Sequence, residues 1–455
     1  MRRLALHLAV AVLTVTAHAS AALPTFQVGD LGEAGVLPRL FRGPDDRLHL
    51  LYVTSQGFRW RVWDEAGWND AGLVPSTQGQ GKSKFNNPSI VALPDGSFHV
   101  LWGPVASFGA SHDVYLQSHD GSKWGARQTI RDDYTEYLQL APLAGSQLMV
   151  IAGVVCPTGC TSAFPMAFST GAPGQAFSSF TEIPTGAPEA KTPFVFAEPG
   201  GNVLHVVSRF ARVSYLTWNG TAFSAPELLF SKSPYSVALP TVSADAVGNP
   251  VVAGVEWTGS GTTWSIDHVR LARRDGSGWQ PNAEGQSIDT VEVDRSAVSA
   301  DAQGGTHLFF VKHNGELSYR RSTSFGEDGP EVILTGVSFD GPETDNIAAT
   351  YTPHHVHAIV SAGGTLKHIL IDTDPPVVLD AGVDAPDSSA GGSAGGGGAA
   401  GGPLVSPAGG TTPASDGGCG CRATPSSTSS PWGALAIVLL ARIRRRSVPS
   451  RRKTP

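Results

Sequence analysis

The chain has 455 residues, with 32 lysines and arginines against 39 acids, a formal charge of −7 and only 16% charged residues. Its 41% hydrophobic content can bury a large core, which excludes wholesale disorder. No apolar run reaches the roughly 18 residues of an ordinary membrane span, so a polytopic membrane protein is excluded too. Glycine (54) and proline (33) make up about a fifth of the chain against roughly 12% in average usage, so turns or linkers are over-supplied. No strongly basic stretch lies in the body of the chain, which counts against a nucleic-acid partner.

Residues 1–21 read as a secretory signal peptide. Arg2 and Arg3 form a charged start, Leu4 to Thr16 is an apolar run, and Ala17, Ala19 and Ala21 give the small-residue spacing of a cleavage site. The run is too short to cross a bilayer as an anchor. Export is expected.

From there to about residue 375 the chain is strand-like, with short β-branched and aromatic runs between Gly, Asp, Asn, Ser and Pro turns. Seven runs superpose: RLHLLYV, SFHVLWG, QLMVIAG, VLHVVSR, NPVVAGV, THLFFVK and HVHAIVS. Aligned on one position they place His49, His99, Met149, His205, Val251, His307 and His357 at spacings of 50, 50, 56, 46, 56 and 50 residues. This is a repeat.

A second marker follows each run. Aromatic residues stand at Trp68, Trp124, Phe177, Phe223, Trp279 and Phe325, usually after a Gly-containing turn. The seventh copy is missing after His357 and appears instead at the start, as Phe26. That offset suits a closed ring in which the N-terminal strand completes the last blade and removes the open sheet edges. The expected fold is all-β: a seven-bladed β-propeller over residues 22–375, with about 50 residues and four strands per blade. Six blades plus an irregular segment is the competing architecture.

Ser118-His119-Asp120-Gly121-Ser122-Lys123-Trp124 and the Asp-Gly-Trp skeleton of Arg274 to Trp279 resemble the Asp-box of sialidase-like (BNR) propellers. The resemblance implies a structural turn, with the Asp capping it and the aromatic packing between sheets. The five repeated histidines cannot converge on one ion, so they are read as hydrogen-bonding the backbone of the preceding turn, and no metal or cofactor is expected. Cys156 and Cys160, in an exported chain, read as a disulfide closing a small loop.

Candidate ligand residues are the unusual side chains expected in loops on one face. They are Arg131, Asp133, Tyr134 and Tyr137 between blades two and three, then Glu256, Trp257 and Trp264 in blade five, then Arg295; Lys82 and Lys84 lie on the same face. Carboxylates beside aromatics suit sugar binding. A sialidase-type hydrolase would need three arginines on the substrate carboxylate, a Tyr nucleophile with a Glu partner, and an Asp acid/base. The Arg-Ile/Leu-Pro start of such enzymes is replaced by Leu37-Pro38-Arg39. No catalytic residues are assigned; a binding module for a glycan or a surface protein is the expectation, with the hydrolase as alternative.

Residues 376–418 collapse to Gly, Ala, Ser, Pro, Thr and Asp, the composition of a flexible linker. Cys419 and Cys421, the apolar stretch 432–441 and the arginines from Arg442 to Arg446 follow in order. This order resembles the myxobacterial C-terminal sorting signal called MYXO-CTERM, spread over 419–455. The resemblance implies that Cys419 and Cys421 mark processing by a membrane protease, that 432–441 forms a short transmembrane helix, and that the protein ends anchored at the cell surface or outer membrane. Removing Arg2, Arg3 and the seven cationic residues from Arg442 onward leaves 23 basic residues against 39 acids, about −16, which disfavours nucleic acid further.

Overall fold

The computed structural model describes residues 26–78, 85–104, 113–131, 135–154, 165–184, 193–210, 212–231, 236–260, 263–288, 293–322, 331–337 and 347–373. The chain divides into two units, Met1–Val378 and Leu379–Pro455, and every described residue belongs to the first. The expected signal peptide, linker and sorting signal, with Cys419 and Cys421, lie outside the described residues.

Seven antiparallel sheets follow one another along the chain, six of them contiguous in sequence. Their first strands are Val36–Arg42, Phe85–Ala92, Thr135–Leu143, Phe194–Ala197, Ser236–Ala244, Val293–Ala300 and Ile347–Tyr351. These contact one another in cyclic order, the seventh reaching back to the first, so they are the innermost strands of a ring. The protein is a seven-bladed β-propeller, as the repeat predicts. The last sheet takes its outermost strand from the N-terminus: Phe26–Asp30 pairs antiparallel with Thr365–Asp372, Phe26 opposite Ile371 and Asp30 opposite Lys367. Outer strands are shorter than the repeat suggests. In blade two only Gln128–Arg131 pairs as a strand, and Trp124 makes an isolated bridge to His119.

There is no single core. Seven apolar clusters each draw on two adjacent blades, such as Val91, Leu101 and Leu116 of blade two with Leu138, Leu148 and Val150 of blade three. This is how some 350 residues avoid the size limit of one compact core.

The two sequence markers meet in these seams. Among the described residues, the aromatic near an outer strand packs on the third strand of the preceding blade. Trp124 meets Trp60 at 5.9 Å between ring centroids, Phe223 meets Phe168 at 5.3 Å, Trp279 meets Tyr215 at 5.0 Å and Phe26 meets Tyr319 at 4.9 Å. Phe26 therefore stands in register with the others, although it lies at the far end of the chain.

The repeated histidines are buried in the second strands, and their partners are side chains, not the backbone expected from the sequence. A carboxylate can only accept, so His307 Nε2–H donates to Asp301 Oδ2 (2.8 Å) and Nδ1 accepts from Tyr319 OH (2.9 Å). His205 repeats this with Glu198 (2.8 Å) and Tyr215 (2.8 Å). His99 uses Ser97 (2.9 Å), itself donating to Asp95, and Ser118 (2.8 Å). In blade seven the relay crosses the closing seam. Trp68 Nε1–H donates to His368 Nδ1 (3.1 Å), His368 Nε2–H to His357 Nδ1 (3.0 Å), and His357 Nε2–H to Thr352 Oγ1 (3.1 Å). Each histidine ties the turn before its strand to the third strand, which carries the next blade's aromatic. His49 is the exception, with neither nitrogen bonded among the described residues. Its turn has Gly43 where blade six has Asp301, and its ring packs instead on Phe98 at 4.5 Å.

The turns follow local rules. Asp301 Oδ1 also accepts from the backbone of Gln303 (3.0 Å) and Gly305 (2.6 Å), and a Cβ on Gly305 would lie 2.3 Å from the Asp301 carboxylate. In the turn of Ser118 to Trp124, Asp120 Oδ1 accepts from the backbone of Ser122 and Lys123, each at 2.9 Å, and its pKa falls to about 2 through its bonds to Ser122 and Lys123. The turn is capped as the Asp-box resemblance implies.

Two expectations follow. Phe26→Ala removes the closing strand's contact with Tyr319 in the seam of blades six and seven and should cost about 2 kcal/mol, less than a fully buried Phe, whereas the exposed Val28→Ala should change little in a denaturant melt. Burial pulls His49, His99 and His368 down to about 4, whereas an unfolded histidine titrates near 6.5. The unfolded chain therefore binds more protons between those values. Stability should be full above about pH 7 and fall steadily as pH drops toward 4, on the order of 3 kcal/mol per histidine. A midpoint that stays flat from pH 7 to 4.5 would contradict this.

Candidate functional site

Polar residues reach the central channel through a recurring irregularity of the inner strands. Register shifts occur between Val36 and Arg39, Asn86 and Ser89, Glu136 and Gln139, Ala238 and Thr241, and Val293 and Arg295. Inside three of them a non-glycine residue takes positive φ: Leu37 at 53°, Tyr137 at 55° and Leu239 at 47°. Such backbone costs about 1–3 kcal/mol per residue and gathers at functional sites. A bulge re-aims the side chain that follows it. Here the side chains that follow are Arg39, Ser89, Gln139, Thr241 and Arg295.

Four of these, Arg39, Gln139, Thr241 and Arg295, line one cavity of about 130 Å³ together with Ser296 and Phe194. They come from the inner strands of blades one, three, five, six and four. The Arg39 guanidinium is steered by the carbonyls of Pro38 (3.0 Å) and Pro88 (3.1 Å), the second on the neighbouring blade. Arg295 is only 3% exposed. The hydroxyls of Thr241 and Ser296 are buried and find no hydrogen-bond partner among the described residues. Native proteins seldom leave such groups unsatisfied unless a water or ligand meets them. No acid lines the cavity among the described residues. Two guanidiniums, an amide and two open hydroxyls, with Phe194 also in the lining, are the chemistry that could hold an anionic or hydroxyl-rich group.

Among the described sequence candidates, only Arg295 lines this cavity. Tyr137 lies in a strained bulge one turn of the pleat from Gln139, half-buried. Arg131 ends the outer strand of blade two and braces blade three, its guanidinium 5.0 Å from the Phe180 ring. Glu256, Trp257 and Trp264 stand in strands rather than in a loop, because the second and third strands of blade five run for 11 and 13 residues. Glu256 is buried and held by Arg270, Nε to Oε2 at 2.9 Å and Nη2 to Oε1 at 3.1 Å. It is a brace of that hairpin. Asp133, Tyr134, Lys82, Lys84, Cys156 and Cys160 lie outside the described residues, as do the side chains of Trp257 and Trp264.

The three arginines of a sialidase-type site are not assembled among the described residues; two line the cavity. Gln139, Thr241 and Ser296 were passed over in the sequence because single polar residues on strands carry no composition signal. A signal does exist. Leu-Pro followed by a polar residue opens the inner strand at both Leu37-Pro38-Arg39 and Leu239-Pro240-Thr241.

No protein-family model matches the chain, and no curated protein matches it. Among solved structures it is similar to a polysaccharide lyase, the PL25 ulvan lyase, with a TM-score of 0.51 and 12% identity over 76% of this chain and 96% of that one. The same lyase bound to -[GlcA(1-4)Rha3S]- gives the same figures. At this identity the likeness shows the propeller fold.

Glu256→Gln takes the counter-charge from a half-buried Arg270. It should destabilise the domain by about 3 kcal/mol in a chemical melt and leave ligand affinity per folded molecule unchanged.

Proposed function

We propose that this protein is an exported, surface-anchored binding module whose central channel holds an acidic sugar at the end of a glycan. The observation that carries this reading is the meeting of Arg39 and Arg295 with two unpartnered hydroxyls in one cavity. A guanidinium pair matches a carboxylate, and the hydroxyls match those of a sugar ring. The cavity is well below the roughly 300 Å³ of a site that encloses a whole small ligand, so it suits one terminal group rather than a polymer segment. The acidic body, about −16 without those terminal cations, opposes long polyanions and so also favours an isolated acid. Export and anchoring rest on the two terminal signals, which make residues 376–418 the stalk and the C-terminal segment the substrate of a processing protease.

A second reading is glycan cleavage. It is motivated by the similarity to a polysaccharide lyase and by the guanidiniums themselves, since neutralising a uronate carboxylate is one requirement of eliminative cleavage. The groups lining the cavity recognise but do not readily take up protons, which places binding first.

Calorimetry with a glucuronate-terminated oligosaccharide and its glucose-terminated counterpart separates the readings. Binding should favour the acidic ligand by at least about tenfold and weaken by a similar factor in Arg39→Gln and in Arg295→Gln. Equal affinity for the two ligands defeats the proposal. Appearance of unsaturated uronate or of released sugar during the titration replaces binding by catalysis.

A further inference from the structure

A second hollow lies on the outer wall, at the seam where the ring closes. Side chains alternate along a strand. Phe26 of the closing strand turns to Tyr319 of blade six, so Gln27 and Gly29 turn toward blade one. Gly29 has no side chain to fill that space, and a Cβ built there would meet nothing closer than the His368 carbonyl at 4.0 Å. The result is an open groove of about 340 Å³ lined by Gln27, Asp30, Arg61, Trp63, Trp68 and His368. It is made of outer strands and shares no lining residue with the central cavity.

Its walls are aromatic and its rim is polar. Trp63 and Trp68 lie edge to face at 5.6 Å, and both keep part of their surface in solvent. Arg61 is oriented by Glu33 (3.3 Å), and Asp30 by Lys367 and the backbone of Gly32 (2.8 Å), so the rim is held in place before any ligand arrives. An indole face against the apolar face of a ring, with planar carboxylate, amide and guanidinium groups at its edge, is the chemistry that recognises a neutral pyranose. The volume falls at the lower end of small-molecule sites, room for one or two sugar units. An extended peptide is the rival occupant, since the closing strand offers an open edge. The groove is formed by side chains facing blade one rather than by that edge, which favours the sugar.

We propose that this seam groove is a second saccharide site, for a neutral pyranose, separate from the central channel. The inference stands whether or not the channel binds an acidic sugar. With both sites filled, one molecule would grip a glycan or a glycan-coated surface at two points, gaining avidity from effective concentration.

The full-length protein is titrated with the methyl pyranosides of glucose, galactose, mannose, fucose and rhamnose, followed by tryptophan fluorescence and saturation-transfer NMR. At least one should bind saturably. Gly29→Leu should weaken it by at least about tenfold without shifting Tm, and Arg39→Gln should leave it unchanged. If Gly29→Leu does lower Tm, Asp30→Asn on the exposed rim decides, with a weakening of about threefold or more expected. The proposal is overturned if no pyranoside binds, if binding survives the filled groove, or if Arg39→Gln abolishes it. A peptide that binds wild type but not Gly29→Leu, where no pyranoside does, assigns the groove to peptide.

Discussion

The described seams depend on one repeated contact, the packing of an aromatic ring from one blade on the third strand of the blade before it. Among the described residues no backbone ladder joins one blade to the next, so what holds neighbours together passes through their faces. The ring seated in each seam supplies apolar area, and the histidine behind it supplies direction. Where the sequence has an acid in the inner turn, as at Asp301 and Glu198, the histidine is fixed as the Nε2–H tautomer and presents a lone pair to a tyrosine hydroxyl. That tyrosine then meets the next blade's aromatic, Phe26 or Trp279. A turn at one end of a blade is thereby coupled to its neighbour. Burial pulls His49, His99, His307, His357 and His368 below the ordinary histidine range, which makes acid the natural weakness of their seams.

The closing seam between blades seven and one has the smallest apolar cluster of the seven and is reinforced by rings instead, and chain connectivity explains why. At every other seam the neighbours are joined covalently by the next connection. Blades seven and one are joined only through the returning N-terminal strand and the packing between them. There the sequence stacks His357 and His368 at 5.2 Å with near-parallel rings and adds Trp63 beside Trp68. Trp68 is also the one seam aromatic among those described whose indole N–H donates straight to a histidine of the preceding blade. The same concentration of aromatic surface, facing a glycine, leaves the outer groove.

Fold and site were legible to very different degrees. Blade count, order and closure could be read because the two markers recur at a fixed interval, and Phe26 could be placed in the last blade from spacing alone. A repeat encodes what every blade needs. Binding residues are by nature the ones that differ between blades, so periodicity is silent about them. Choosing striking side chains in expected loops found Arg295 but also Glu256, which the long hairpin of blade five buries against Arg270. The length of that hairpin is not visible locally, because Trp257 to Asp267 reads equally well as a decorated loop. The histidine partners were missed for a similar reason. Asp301 precedes His307 by six residues and Glu198 precedes His205 by seven, and only the curl of the turn brings them together.

The strained bulges join the two levels. A regular inner strand would alternate its side chains between the two seams and leave the channel wall as bare backbone. Displacing one residue at the start of the strand turns the next side chain inward, and doing so in blades one, three and five places Arg39, Gln139 and Thr241 around a common space. Leu37 and Leu239, each before a proline, hold positive φ that a leucine does not adopt without cost. A scaffold selected for stability alone has no reason to retain that cost at symmetric positions around an otherwise apolar channel. It is explained if the inward-facing groups are what the ring is for. The blades are then a rigid frame, and the bulges are where the frame gives up some stability to present charge at its centre.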